Sequence, residues 1–84
     1  MTNTNNPTNR EALRKIPAFL EAHEITGKAD NLDANYIERI IRYFENEDAA
    51  DGIVCAASIT LGGQAYDGTV TIRRCGQTIV SLNH

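Results

Sequence analysis

The hydrophobic period of this chain changes near Gly52. Residues 8–48 carry apolar side chains at helical spacing, whereas residues 53–82 carry them at strand spacing, broken by Gly62-Gly63 and by Gly76. A chain that switches from a period of 3.6 to a period of 2 folds as segregated helices and strands, an α+β arrangement. With 84 residues there is room for one domain. Residues 1–7, Met-Thr-Asn-Thr-Asn-Asn-Pro, contain no core candidate and are expected to be a disordered tail, leaving 8–84 as a single α+β domain.

The helical half begins with Thr8-Asn9-Arg10-Glu11, which fits a capping box with Thr8 as the N-cap. Leu13, Ile16 and Leu20 follow on one helical face. Pro17 either kinks this helix or opens a second one in its first turn, and the second outcome is favoured. The segment is expected to end near Thr26-Gly27, with Gly27 as a left-handed cap and 27–32 as a loop. Asp33 is a good N-cap for the next helix, with Leu32 and Ile37 in hydrophobic-staple positions. Ile37, Ile40, Ile41 and Phe44 form its apolar stripe, Glu38 and Arg42 can pair on its outer face, and it should fade by Asp48.

The second half reads as two hairpins. Gly62-Gly63 suits a two-residue turn with positive φ at both positions. That turn sets Leu61 opposite Gln64, Ile59 opposite Tyr66, Cys55 opposite Val70 and Ile53 opposite Ile72. It places Ile53, Cys55, Ala57, Ile59, Leu61, Tyr66, Val70 and Ile72 on one face. A three-residue loop, Arg74-Cys75-Gly76, then turns Thr78, Val80 and Leu82 to the same face, which buries more than the alternative two-residue loop. The expected architecture is two or three N-terminal helices packed on one face of a three-stranded antiparallel β-meander, with Ile40 and Ile59 at the centre of the interface.

The net charge of −3 is unevenly spread. Residues 1–29 carry +1, residues 30–51 carry −5 and residues 52–84 carry +1. Within the acidic stretch, Glu45, Glu47, Asp48 and Asp51 crowd a helix C-terminus, where the macrodipole disfavours negative charge. They are candidates for docking a basic partner. The spacing of an EF-hand loop is missing, so no metal is assigned. A second candidate surface is the other face of the sheet, with Val54, Ala56, Thr69, Thr71 and Ile79. It is small, β-branched and almost uncharged, and it costs little to desolvate against a partner or a second copy of the chain.

No catalytic constellation is legible. His23 and His84 are the only histidines, and no Cys-x-x-Cys or His-x-x-x-His accompanies them. Cys55 falls mid-strand and Cys75 in a turn, which predicts two thiols and a reducing compartment. Without a phosphate loop, a nucleophile–base pair or a cofactor motif, no enzyme and no cofactor are expected. No run approaches the ~18 apolar residues of a membrane span, and the first ten residues lack a signal peptide's apolar stretch, so a cytoplasmic protein without a membrane partner is expected.

The expected function is a non-enzymatic protein-interaction module that docks a protein with a basic surface. Small, acidic, motif-poor domains of this kind are common among phage and mobile-element inhibitors of host nucleic-acid-processing complexes, anti-CRISPR proteins included; the analogy is one of size and charge. The alternative is a small winged-helix-like DNA-binding regulator, in which Arg39, Arg42, Arg73 and Arg74 touch phosphates. Nucleic acid is the weaker reading, because its recognition helix would lie in the −5 stretch.

Overall fold

A computed structural model describes residues 8–29 and 31–83. The expected tail and His84 lie outside them. The order is α1 (Arg10–Arg14), α2 (Ile16–Ala22), β1 (Ile25–Gly27), α3 (Ala34–Phe44), β2 (Gly52–Leu61), β3 (Gln64–Arg73) and β4 (Thr78–Leu82). The described strands form one antiparallel sheet in the order β1-β2-β3-β4, so the sheet has four strands where three were expected.

The extra strand is β1, expected as the frayed end of a helix and a loop. Past His23, which ends α2, the chain reverses at Glu24, a non-glycine residue in left-handed geometry at φ 55°. The Glu24 carbonyl accepts from Thr60 N–H, and Lys28 N–H donates to the Ala56 carbonyl. Between them Ile25 lies opposite Ile59 and is buried. The left-handed cap therefore sits three residues before Gly27, which is part of the strand. The gain is a buried isoleucine and a paired β2 edge.

Capping at the start of α1 also differs from expectation. Asn9, not Thr8, caps α1, its side chain accepting from Ala12 N–H. The Thr8 hydroxyl instead donates to the Phe44 carbonyl at the far end of α3. Pro17 opens α2 in its first turn, and Lys15 alone separates the two pieces. Asp33 caps α3 by accepting from Tyr36 N–H at 2.9 Å, and the staple pair Leu32 and Ile37 is buried.

Leu13, Ile16 and Leu20 from α1–α2, and Ile37, Ile40, Ile41 and Phe44 from α3, pack against Ile25, Ala57, Ile59, Val70 and Ile72 of the sheet. Ile40 and Ile59 are both 3% exposed, as their central positions require. Gly62 (φ 57°) and Gly63 (φ 84°) make the first hairpin turn, and all four expected pairings are present. Leu61 and Tyr66, however, lie exposed beyond the helical layer at the turn end. The second turn is the three-residue form: Arg73 N–H donates to the Gln77 carbonyl, Gly76 adopts φ 94°, and Thr78 and Val80 fall opposite Ile72 and Val70. Gly68 lies opposite Ala57 and Leu82, where a Cβ would come within 2.4 Å of both Ile59 Cδ1 and the Ser81 carbonyl.

Candidate functional site

α3 ends at Phe44, four residues short of Asp48. Of the four acids expected at its C-terminus, only Glu45 sits there, as the C-cap. Its carboxylate pairs with Arg10 of α1, which answers the unfavourable dipole locally. Glu38 is likewise paired across the helical layer. Arg14 reaches it through Nε at 2.7 Å and Nη2 at 3.2 Å, in place of the expected partner Arg42. That two-pronged bond from Arg14 holds the Glu38 carboxyl below its usual range, and raises Arg14 in turn.

Glu47, Asp48 and Asp51 remain. All three are exposed, and none forms an ion pair among the described residues. They stand on the 45–51 loop, which is tied down from three directions. Ala50 N–H donates to the Tyr43 hydroxyl at 2.9 Å. Arg74 N–H donates to the Asp51 carbonyl at 2.8 Å, and Arg74 Nη2 donates to the Ala49 carbonyl at 3.0 Å. Arg74 is only 8% exposed and lies over the Phe44 ring, its Cζ 6.0 Å from the centroid. A residue expected to touch phosphate is thus a buried anchor for the acidic loop. Nothing in its sequence neighbourhood announces this, because an Arg-Arg pair entering a turn reads as exposed.

The second candidate surface begins where the loop ends. Gly52 follows Asp51 directly and opens β2, and Val54 stands two residues further on. Val54 pairs with Thr71, and Thr71 with Ile79, forming one row across three strands. Val54 is 66% exposed and Ile79 40%. The next row, Ala56–Thr69–Ser81, continues the small, uncharged surface. Asp51 lies opposite Arg74 and in phase with Ile53 on the helical side, whereas Val54 is in the alternate, outward set. The acidic loop and the apolar row are consecutive along the chain, joined at Gly52. The face is less neutral than its sequence implies. Arg73 closes the loop end of it, opposite Gly52, and at the other end Asp67 pairs with Lys28, which follows β1.

Other chemistry-bearing groups stay dispersed. His23 is exposed, its ring tilted on Phe19 at 4.5 Å between centroids. Both cysteines are thiols: Cys75 is exposed, and Cys55 is half-buried with its Sγ 3.8 Å from the Tyr36 hydroxyl. Among the described residues no three His, Cys, Asp or Glu side chains converge as a metal-binding set, and no helix is long and apolar enough to cross a membrane. No known protein family, curated protein or solved structure matches the chain.

Proposed function

We propose that the protein is a non-enzymatic interaction module that docks a basic protein surface through the 45–51 loop and the adjoining row Val54–Thr71–Ile79. One observation carries this reading. Glu47, Asp48 and Asp51 are exposed and form no ion pair among the described residues, while Glu38 and Glu45 are neutralised by Arg14 and Arg10, and the strand that leaves the loop carries the exposed Val54. A charged rim beside a low-cost apolar strip is the anatomy of a transient interface: the strip loses water on contact, and the rim steers and orients. The anchoring of the loop by Tyr43 and Arg74 supports this, since a preorganised loop loses less entropy on binding.

The partner class that fits is a complex with a basic surface, such as one that handles nucleic acid. Inhibition of such a complex by a phage or mobile-element protein, in the anti-CRISPR manner, is the form of this reading that size and charge favour. A DNA-binding regulator is the competing reading. Exposed Arg39 and Arg42 on the outer side of α3 support it. Against it, the strand β1 intervenes between α2 and α3, where a helix-turn-helix has only a short turn, and Arg74 is buried. The deciding experiment is capture from a host lysate, with and without nuclease, using the native protein and the Glu47→Lys/Asp48→Lys/Asp51→Lys variant. A nuclease-resistant protein captured by the native form and lost with the variant supports docking. Recovery that depends on nucleic acid, and survives in the variant, supports the regulator.

A further inference from the structure

Hydrogen bonds at the two ends of β4 fix which of its backbone groups are paired. Arg73 N–H donates to the Gln77 carbonyl at 2.9 Å, and Asn83 N–H donates to the Asp67 carbonyl at 3.0 Å. In an antiparallel ladder the bonded residues alternate. Gln77, Ile79, Ser81 and Asn83 therefore turn their groups to β3, and Thr78, Val80 and Leu82 turn theirs outward. β4 is a sheet edge, and residues 77–83 include no charge and no proline, the usual guards of such an edge. The opposite edge, β1, is three residues long and bracketed by Glu24 and Lys28, with Lys28 committed to Asp67.

We propose that β4 pairs with β4 of a second copy of this chain, antiparallel about a two-fold axis at Val80. In this register Val80 bonds Val80 of the second copy, and Thr78 bonds its Leu82. All three outward-facing residues are then satisfied on both sides. Leu82 is 36% exposed and lies on the helical side of the sheet. Opposite it, beside Thr78, lies a groove of about 270 Å³ lined by Ala12, Lys15, Ile16, Phe19 and Gly76. The chain thus carries both an exposed leucine and an apolar groove, at the two positions that the register brings together, twice over. Phe19, 40% exposed, is the groove's rim. The uncharged edge lets identical strands meet without like-charge opposition, a requirement of a self-complementary interface. The union makes a continuous eight-stranded sheet and leaves the outer faces open, so it is independent of the docking patch proposed above.

The test is a concentration series, from micromolar to millimolar, of native protein followed by sedimentation equilibrium and by amide exchange. The expected mass rises from 9.2 kDa toward twice that value. At the same time exchange at the Thr78, Val80 and Leu82 amides slows by roughly tenfold or more, while Ile79 and Ser81 are little changed. Val80→Pro, which removes an outward N–H that the monomer leaves unpaired, should stay monomeric with a folded circular-dichroism spectrum. Should that variant fail to fold, Leu82→Lys gives the same answer from the groove side. A native protein that stays monomeric throughout, or one that dimerises while those three amides exchange freely, would overturn the proposal. So would protection at Ile25 and Gly27 instead.

Discussion

Arg74 Nη2 donates to the carbonyl of Ala49, 3.0 Å away and 25 residues back along the chain. Together with the Arg74 N–H bond to Asp51, this joins the second hairpin turn to the acidic loop. The turn, by its geometry, fixes where the loop's carboxylates stand. Arg74 Nε is buried and has no hydrogen-bond partner among the described residues, so the guanidinium is held at some cost. Its replacement by methionine should therefore change global stability little, since packing on Phe44 is kept and a buried charge is removed. The loop should loosen locally. Amide exchange across residues 47–51 is expected to accelerate, and a protease should nick there first. A loop as protected in Arg74→Met as in the native protein would mean that the Tyr43 hydroxyl and the backbone N–H of residue 74 hold it without the guanidinium.

The core prediction is larger. Ile40 of α3 and Ile59 of β2 belong to the one buried cluster between helices and sheet, each 3% exposed. Ile40→Ala removes buried methyl and methylene groups and leaves a cavity, at a cost of about 2–5 kcal/mol. In a domain this small, that is a large share of the total stability. Thermal or urea unfolding should show a midpoint far below that of the native protein. A near-native midpoint would mean that the α3 stripe is not the buried one.

The Arg14–Glu38 pair carries a pH signature. Its first cause is the side-chain hydrogen bond from Arg14, which lowers the Glu38 carboxyl from its usual range. In acid the unfolded chain therefore binds this proton more readily than the folded chain does. The pair's contribution is present above the unfolded carboxylate range and is lost as pH falls through the lowered folded value. Unfolding midpoints of native protein and Glu38→Gln should differ modestly near neutrality, as exposed pairs do, and converge in acid. A gap that widens toward low pH would contradict the assignment.

Thiol chemistry separates the two hairpin positions. Cys75 lies exposed in the second turn, while Cys55 lies mid-strand, half-buried beside Tyr36. A thiol reagent under native conditions should label Cys75 quickly and Cys55 slowly, with both reacting at similar rates in urea. Equal native rates would place β2 in another register.

Much of this fold is legible in the chain because its signals agree. Gly62-Gly63 fixes a register, and that register puts Ile53, Cys55, Ile59, Val70 and Ile72 on one face; turn chemistry and period choose the same pairing. Asp33 and the Ile37–Phe44 stripe agree in the same way for α3. What escapes reading is decided by distant contacts. Ile25–Gly27 is too short for alternation to show, and it becomes a strand only because β2 offers it an edge. Thr8 and Asn9 are both competent caps, and the choice falls to the Phe44 carbonyl, 36 residues away. Local spacing pairs Glu38 with Arg42, but Arg14 arrives from another helix. In the candidate site, the acids and the apolar row are each visible in the sequence. The neutralisation of Glu45 by Arg10 and the buried role of Arg74 belong to the tertiary structure.

The central claim is that the unpaired acids of the 45–51 loop dock a basic partner. Glu47, Asp48 and Asp51 can be reversed to Lys while Glu45 is kept, because Lys at 45 would face Arg10. The direct measurement is the association and dissociation rate of captured partner, for native and triple-variant protein, at several salt concentrations. Exposed charges are screened over roughly 8–10 Å at physiological ionic strength, so native association should slow as salt rises. The variant should associate far more slowly while unfolding at a near-native midpoint, with dissociation changed less. A folded triple variant that binds at the native rate, with no salt dependence in either protein, would contradict the account.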